Sequence, residues 1–295
     1  MVTGGAGFAG SHLVSLLGER GAEIAAPAHA DLDLLDADAV ARRVAELRPA
    51  AVHHLAALAS VGRSWQRPRD ALRQNLEMTL NVLEAARAEA PDAVIVLASS
   101  GEVYGPPATL PVSEDAQLRP QNPYAVSKAA CDLLARQYAD AHGLRVAVMR
   151  SFNHAGPRQS EEYVVGSFAR QVAEAQLAGN SELVLHTGDV ESSRDFTDVR
   201  DVVRAYAEAG ALEPGVYNVC SGVATRISTL IELLGEAAGI ELTYEVDPER
   251  LRAADVPEVR GSAEKLHERT GWEPEIPLSE TLADAVAAWR AQLAR

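Results

Sequence analysis

The sequence predicts an α/β protein built on a doubly wound parallel sheet, with a smaller C-terminal lobe. Two observations carry this prediction. Short apolar strands alternate with amphipathic helices through the first half of the chain, and a glycine-rich turn joins the first strand to the first helix. Later elements alternate less regularly. We therefore place the sheet domain at residues 1–155, with 187–219 returning to it, and the smaller lobe at 156–186 and 220–295.

Composition narrows the class of protein. The chain has 295 residues, of which 47% are hydrophobic, enough for a large core. Acidic residues outnumber basic ones by 42 to 27, a net charge of −15 that argues against nucleic acid as a partner. Cys131 and Cys220 lack metal-site or disulfide spacing, so we interpret them as small buried hydrophobes and expect no bound metal. No membrane-length apolar run and no signal-peptide pattern occur, which favours a cytoplasmic protein without membrane contact.

The glycine turn predicts a dinucleotide site. Gly5, Gly7 and Gly10 match GxGxxG and precede an amphipathic run at residues 11–20. In this context the glycines allow a pyrophosphate to approach the backbone at a helix N-terminus. The sheet domain is thus predicted to be of the Rossmann type. Only three residues precede the glycines, so we expect the first strand to lack a few upstream residues.

The segment after the second predicted strand, residues 23–27, bears on the choice of dinucleotide. An acidic residue at the end of that strand would bind the adenosine ribose, but Ala28 and His29 follow instead. His29 could face the 2′-phosphate of NADP, or Asp31 could take the ribose. We expect NADP or NAD, with a preference for NADP.

The next stretch contains two further aspartates. Asp33 could meet the adenine edge or stabilise a turn. Asp36 is predicted to cap a helix at residues 37–47.

A third strand at residues 51–55 carries His53 and His54 side by side. Adjacent strand residues point to opposite faces, so these histidines cannot easily share a metal and are expected to be structural. A long helix up to about residue 90 carries Asn75. An asparagine inside a helix is usually exposed, but Asn75 could hydrogen-bond to the helix that holds Tyr124.

Polar residues follow the next two apolar strands, 93–98 and 144–149. Ligands of open α/β sheets bind beyond the carboxyl ends of the strands. Ser100 is therefore placed to donate a hydrogen bond to a substrate oxygen, while Glu102 could be a general base or a loop carboxylate. Asn153 follows the later strand at the same edge.

Between these strands lies the motif Asn-Pro-Tyr-Ala-Val-Ser-Lys, residues 122–128. Asn122 suits a helix N-cap and Pro123 the first helical position. Tyr124 and Lys128 then lie one turn apart, so the ammonium could stabilise the phenolate and lower the pKa of the tyrosine. A solvated helix face explains so short a motif equally well, but the accompanying motifs favour catalysis.

The remaining elements include Asp198 as the predicted cap of a helix that runs to residue 212, and a last helix at about 279–293. This last helix places Leu282, Val286 and Trp289 on one face. The other predicted helices are 161–178 and 228–238, and the other predicted strands are 183–186, 216–220 and 242–246.

Together these motifs resemble the extended short-chain dehydrogenase/reductases that act on nucleotide sugars. The resemblance rests on the glycine turn, the Ser100, Tyr124 and Lys128 set, Asn153 and the segment at 194–196, and it runs over nearly the whole chain.

Two details narrow this resemblance. The stretch 152–160 and Arg252 in Leu-Arg-Ala-Ala-Asp-Val are most similar to GDP-mannose 4,6-dehydratases and GDP-6-deoxy-4-keto-mannose reductases. Reductases of this type usually have proline at position 253, where this chain has alanine, and dehydratases usually have a longer tail.

The resemblance implies a role for each site residue. Tyr124 would protonate the C4 oxygen of the sugar, Lys128 would lower the tyrosine pKa and hold the nicotinamide ribose, and Ser100 would polarise the C4 carbonyl. The implied cofactor-binding set also contains Gly4, Gly7, Phe8, Ala9, Gly10, His29, Asp33, Leu34, Leu55, Ala56 and Ala57. The implied substrate-binding set is Ser100, Asn153, Val164, Arg194 and Arg252.

The resemblance also implies an assembly. Family members often form homodimers through the helices that carry Asn75 and Tyr124, and Ala129, Leu133 and Leu134 leave such a contact open.

The expected function is NAD(P)H-dependent reduction of the C4 ketone of a GDP-4-keto-6-deoxyhexose, giving a product such as GDP-rhamnose. One alternative is a 4,6-dehydratase with Glu102 as the base near C5, although the neighbouring Gly101 weakens it. A second alternative is a C4 epimerase with tightly bound NAD. A third is a non-catalytic dinucleotide sensor. A sensor would not need Ser100, Tyr124 and Lys128.

Overall fold

A computed structural model describes residues 1–248 and 256–294 and contains a central sheet of five parallel strands. We number the elements in chain order. The strands of this sheet, in spatial order, are β1 (Val2–Thr3), β2 (Ala51–His54), β3 (Val94–Ser100), β4 (Arg145–Ser151) and β8 (Gly215–Val219). All of their carboxyl ends lie at one edge, because every pair is parallel.

Helices cover both faces of this sheet. One face packs α1 (Phe8–Glu19) and α7 (Val199–Glu208), and the other packs α2 (Ala37–Leu47), α4 (Pro68–Glu89) and α5 (Pro123–His142). A short α3 (Val61–Gln66) precedes α4. The predicted doubly wound Rossmann-type fold is thus confirmed.

Successive apolar residues of β3 pack against helices on opposite faces of the sheet. Val94 and Val96 pack with α1 and α7, whereas Ile95 and Leu97 pack with the helices of the opposite face. Successive strand residues point to opposite faces, so a strand buried on both sides must be apolar throughout.

Three helix starts follow the predicted capping chemistry. Asp36 Oδ1 accepts a hydrogen bond from Ala39 N at 2.9 Å, and Asn122 Oδ1 accepts one from Ala125 N at 2.8 Å. Asp198 Oδ1 accepts one from Arg200 N at 2.7 Å. These caps satisfy amides that the first helical turn leaves without partners.

A second core lies outside the sheet domain. It is formed by α6 (Val164–Leu177), α8 (Ile227–Ala238) and α10 (Leu278–Leu293), and Leu282, Val286 and Trp289 of α10 face it as predicted. The accompanying elements are β5 (Asn153–Ala155), β6 (Glu182–Thr187), β7 (Ser193–Asp198), β9 (Ala224–Arg226), β10 (Glu241–Val246), β11 (Glu258–Val259) and α9 (Glu264–Thr270). Of these, β6 pairs with β10, while β5, β9 and β11 all pair with β7.

The predicted second strand at residues 23–27 is wrong. This described segment forms no strand, although it runs alongside β1 and Ala25 O accepts a hydrogen bond from Val2 N at 2.8 Å. Because β1 has only two strand residues, it offers too few backbone groups to order a full neighbouring strand.

The predicted domain boundaries stay a prediction, and each of the two cores includes residues from across them. Val190 and Phe196 belong to the returning segment 187–219, yet they pack into the second core. Leu266 and Trp272 belong to the predicted lobe, yet they pack against α7 in the core of the sheet domain. The chain therefore crosses between the two cores more often than the sequence suggested.

Within the described residues, no helix has both the length and the apolar character needed to cross a membrane. The same residues contain no cluster of three or more His, Cys, Asp or Glu side chains arranged to hold a metal ion. Cys131 and Cys220 are buried as free thiols, as interpreted from their spacing.

Candidate active site

The glycine turn is closed by contacts that leave no room for side chains. Gly4 has a φ of +72°, and a Cβ on it would lie 2.7 Å from Ala56 N. A Cβ on Gly10 would lie 2.0 Å from Gly4 O, which also accepts a hydrogen bond from Gly7 N at 2.9 Å. The turn and the start of α1 thus touch directly, a geometry that requires glycine at both positions.

The N-terminus of α1 fits the predicted pyrophosphate. The helix begins at Phe8 after Gly7, and among the described residues no side chain caps it and no acidic residue lies in its first turn. The first amides, including those of Phe8 and Ala9, therefore remain available to an anion, which the helix dipole also favours. The residues present fit a dinucleotide diphosphate.

The predicted adenosine side of the cleft has its own turn chemistry. Asp33 Oδ1 accepts a hydrogen bond from Leu35 N at 3.0 Å, and Asp31 Oδ2 accepts one from Ala28 N at 3.3 Å. His29 is exposed within the turn at residues 28–31, and Leu34 is buried. Both aspartates stabilise turns, and their contacts to a cofactor stay predictions.

Leu55, Ala56 and Ala57 follow β2 at the carboxyl edge of the sheet, beside the glycine turn. Thr3 Oγ1 accepts a hydrogen bond from Ala56 N at 3.4 Å, which ties this segment to β1. The structure therefore places the first two predicted cofactor segments side by side.

Ser100 and Tyr124 meet at the same edge. Ser100 ends β3, and Tyr124 is the second residue of α5. Burial raises the pKa of Tyr124 above its ordinary value, while a hydrogen bond with Ser100 partly lowers it. The phenol is therefore protonated at neutral pH, as a proton donor must be.

Lys128 lies one turn further along α5 and is buried. Its Nζ donates a hydrogen bond to Ala98 O at 2.7 Å, and burial lowers its pKa. That Lys128 lowers the pKa of Tyr124 stays a prediction. Burial is the main cause of the raised pKa of Tyr124, and the Lys128 ammonium donates its hydrogen bond to the backbone of β3.

Glu102 is held beside the catalytic helix. Its Oε2 accepts a hydrogen bond from Asn122 Nδ2 at 3.0 Å, and its backbone N donates to Ser100 Oγ at 3.2 Å. The carboxylate contributes to the raised pKa of Tyr124. Both predicted roles, base and loop carboxylate, remain compatible with this position.

The predicted substrate residues lie on paired strands and on a helix start. Asn153 is exposed on β5, which pairs with β7, and Arg194 of β7 donates a hydrogen bond to Val256 O at 2.8 Å. Val164 is the first residue of α6. Arg252 lies outside the described residues.

Asp195, a residue without a predicted role, organises the neighbouring loops. Its buried carboxylate accepts hydrogen bonds from Ser221 N and Oγ at 2.8 and 2.6 Å. It also accepts bonds from Gly222 N at 3.0 Å and Gly261 N at 3.1 Å. These donors lower the pKa of Asp195, but burial raises it by more. A signal was present, since Asp195 lies within the segment 194–196 on which the resemblance rests.

A buried ion pair under the site was also missed. Arg150 Nε donates to Asp132 Oδ2 at 2.7 Å, and Arg150 Nη1 donates to the Tyr104 hydroxyl at 2.9 Å. The pair joins β4 to α5 and so stabilises the helix that carries Tyr124. Sequence spacing could not pair Arg150 with Asp132, because they lie on different elements.

With this geometry in place, comparisons with known proteins give the family. The family model described as GDP-mannose 4,6 dehydratase matches residues 27–285. The chain belongs to this family. Among its relatives, a GDP-6-deoxy-D-mannose reductase from Pseudomonas aeruginosa is 42% identical over 99% of this chain and 97% of its own length.

Solved structures of related proteins agree with this family assignment. A structure of RMD from Pseudomonas aeruginosa complexed with NADPH is 40% identical, covers 99% of this chain and 97% of its own, and has a TM-score of 0.89. A UDP-glucose 4-epimerase from Thermotoga maritima with UDP-glucose is 31% identical, covers 99% of this chain and 98% of its own, and has a TM-score of 0.88. The dehydratase family therefore shares its scaffold with epimerases.

Proposed function

We propose that this protein reduces the C4 ketone of a GDP-4-keto-6-deoxyhexose with NADPH or NADH, giving a GDP-rhamnose-type product. The observation that carries this proposal is the 42% identity to a GDP-6-deoxy-D-mannose reductase along nearly the whole of both chains. The positions of Ser100 and Tyr124 at the carboxyl edge support it.

The chain's own residues would divide the work as follows. When bound, the reduced dinucleotide supplies a hydride to C4. The amides at the start of α1 bind its diphosphate, and Lys128 holds its ribose. Ser100 donates a hydrogen bond to the C4 oxygen, and Tyr124 donates the proton that this oxygen needs, so hydride and proton balance the reduction.

The substrate diphosphate and ribose are assigned to Asn153, Arg194 and Arg252. Arginine suits this task because its planar fork pairs with phosphate oxygens. The cofactor is proposed to be NADP rather than NAD, supported by the NADPH complex of the related RMD and by the lack of an acidic residue at positions 28–30.

A 4,6-dehydratase is the second candidate, favoured by the family name and by Glu102 beside Tyr124. Dehydration needs a base at C5, whereas ketone reduction does not. Glu102→Gln should therefore abolish dehydratase turnover, by about 10²-fold or more, but lower reductase turnover by less than about tenfold. Rates of the wild-type and variant enzymes on GDP-mannose and on the 4-keto sugar distinguish the candidates.

The proposed assembly is a homodimer through α4 and α5. Support comes from an exposed apolar face on these helices, formed by Leu72, Leu76, Leu80, Val126 and Leu133. Of the residues named from the sequence, Ala129 is buried and cannot take part, whereas Leu133 is 54% exposed. Large exposed apolar patches mark interaction sites.

Light scattering tests the homodimer. Leu76→Glu with Leu133→Glu should give a monomer, while Leu177→Glu, an exposed leucine on α6, should leave the dimer intact. A monomeric wild-type protein, or a dimer that survives the double change, would refute the proposal.

A cytoplasmic location is proposed because both cysteines are free thiols, which suits a reducing compartment. Cell fractionation tests this, and recovery outside the cytoplasmic fraction would refute it.

The reductase proposal is tested by nicotinamide absorbance with purified protein and GDP-4-keto-6-deoxymannose. Steady loss of the NADPH or NADH signal is expected, and the cofactor consumed faster is the preferred one. No loss with a cofactor that demonstrably binds would refute the proposal in favour of dehydratase or epimerase chemistry.

A further inference from the structure

Two aromatic rings join the cofactor side of the cleft to the substrate side. The rings of Phe8 and His154 stack with centroids 5.8 Å apart and an interplanar angle of 5°. Phe8 opens α1, whose N-terminus fits the cofactor diphosphate, and His154 is the neighbour of Asn153 on β5. We propose that this stack couples dinucleotide binding to sugar-nucleotide binding, an inference that rests on the proposed function.

The cofactor end of the connection is built on α1. His12 packs edge-on against Phe8, with ring centroids 5.8 Å apart, and its Nε2 lies 2.9 Å from Pro157 O. Two residues one turn apart on α1 therefore both reach the segment that follows β4. An anion that binds at the first turn of α1 therefore acts on the helix that carries the rings of Phe8 and His12.

The substrate end is tied down by hydrogen bonds. His154 Nδ1 lies 3.1 Å from Phe152 O, and His154 O accepts a hydrogen bond from Gln159 Nε2 at 2.7 Å. In the same strand, His154 is in register with Thr197 of β7 and Asn153 with Phe196. Fixing the imidazole thus also fixes the backbone that presents Asn153.

The chemistry of the stack suits a mechanical role. Burial lowers the pKa of His154, so at neutral pH the ring is an uncharged imidazole packed on a phenyl ring. Offset aromatic pairs have defined geometry, so ordering one ring orders the other. A first ligand that orders the stack reduces the conformational entropy lost on binding the second, and linkage makes the effect reciprocal.

Calorimetric titration of the full-length protein measures the coupling. GDP is titrated into protein alone and into protein saturated with NADPH, and NADPH is titrated with and without GDP. We expect NADPH to lower the Kd of GDP at least about fivefold, with the same factor in the reciprocal experiment.

Variants at positions 8 and 154, with one control, assign the coupling to the stack. In Phe8→Leu and in His154→Leu, NADPH should change the Kd of GDP by less than about twofold. The double variant should lose no more coupling than either single variant. His154→Phe keeps a ring against Phe8 and should retain the coupling. His142→Leu, at the far end of α5, is the matched control and should behave as wild type.

The outcomes separate this inference from the proposed function. If the wild-type protein binds both ligands independently, or if the leucine variants keep the full factor, the inference is overturned and the reductase proposal stands. If the wild-type protein binds neither NADPH nor GDP, both are overturned. Retention of the factor in His154→Phe, with its loss in His154→Leu, would establish the stack as the carrier.

Discussion

Asn75 on α4 donates a hydrogen bond from Nδ2 to Ser127 Oγ on α5 at 2.9 Å, and Ser127 Oγ donates to Tyr124 O at 2.7 Å. Asn75 Oδ1 also accepts a hydrogen bond from Leu58 N at 2.7 Å. One buried amide therefore connects the segment after β2 with the first turn of the catalytic helix. The sequence left open whether Asn75 was exposed or bonded to this helix, and the structure confirms the bond.

Asn75→Ala should lower the free energy of unfolding by about 1–3 kcal/mol, because it removes the buried hydrogen bond to Ser127 Oγ and leaves Leu58 N without its acceptor. It should also raise the KM for the dinucleotide, since the segment after β2 loses its anchor. Urea denaturation and steady-state kinetics measure the two effects. Asn180→Ala, at an exposed position, is the control, and equal stability of the two variants would contradict this account.

Gly10→Ala should weaken NADPH binding by more than about tenfold, because the new methyl group would lie 2.0 Å from Gly4 O and displace the glycine turn. The same helix offers a matched control. A Cβ on Gly18 would meet only Ile24 Cδ1 at 3.9 Å, so Gly18→Ala should bind NADPH normally and gain about 0.5–1 kcal/mol of stability. Fluorescence titration of NADPH separates the variants, and normal binding by Gly10→Ala would be incompatible with the tight turn.

Tyr124→Phe should lower kcat by about 10²–10⁴-fold while changing the Kd of NADPH by less than about twofold, because only the hydroxyl that donates the proton is removed. Single-turnover kinetics and NADPH titration give the two quantities. Tyr244→Phe, on exposed β10, should leave both unchanged. Retention of kcat within tenfold would remove Tyr124 from proton transfer.

Acidification should destabilise the protein through two buried histidines. Burial lowers the pKa of His53 to about 4 and that of His54 to about 3, from an ordinary value of 6.5. Below pH 6.5 these histidines therefore bind protons in the unfolded chain but not in the folded chain, so the free energy of unfolding decreases as the pH decreases. Between pH 7.5 and 5.5 each histidine should lower the free energy of unfolding by about 1.4 kcal/mol. Urea denaturation at both pH values tests this, and His54→Gln should halve the loss; an unchanged stability would refute it.

Local patterns predicted much of the fold. The caps at Asp36, Asn122 and Asp198 were predictable because each acts on an amide two or three residues away. The strand at 23–27 was not, because its pairing depends on how many residues the neighbouring β1 contributes. Strand order depends on distant segments, and a local apolar pattern does not report it.

The candidate site divides in the same way. The proximity of Ser100 and Tyr124 was predictable from the rule that ligands lie beyond the carboxyl ends of parallel strands. In the structure, burial raises the pKa of Tyr124 and a hydrogen bond with Ser100 partly lowers it. The direction of the tyrosine pKa could not be predicted, because it depends on burial of the whole cleft. Asp132 and Arg150 were missed for a related reason, since their pairing exists only in three dimensions.

The most direct test of the central claim is the fate of the transferred hydrogen. The purified protein is incubated with GDP-4-keto-6-deoxymannose and NADPH carrying deuterium at the transferring position, and the product is analysed by mass spectrometry and NMR. A reductase predicts one deuterium at C4 of the sugar for each NADPH oxidised. Conversion of the sugar nucleotide without deuterium at C4 and without net NADPH oxidation would contradict the account and indicate internal redox chemistry.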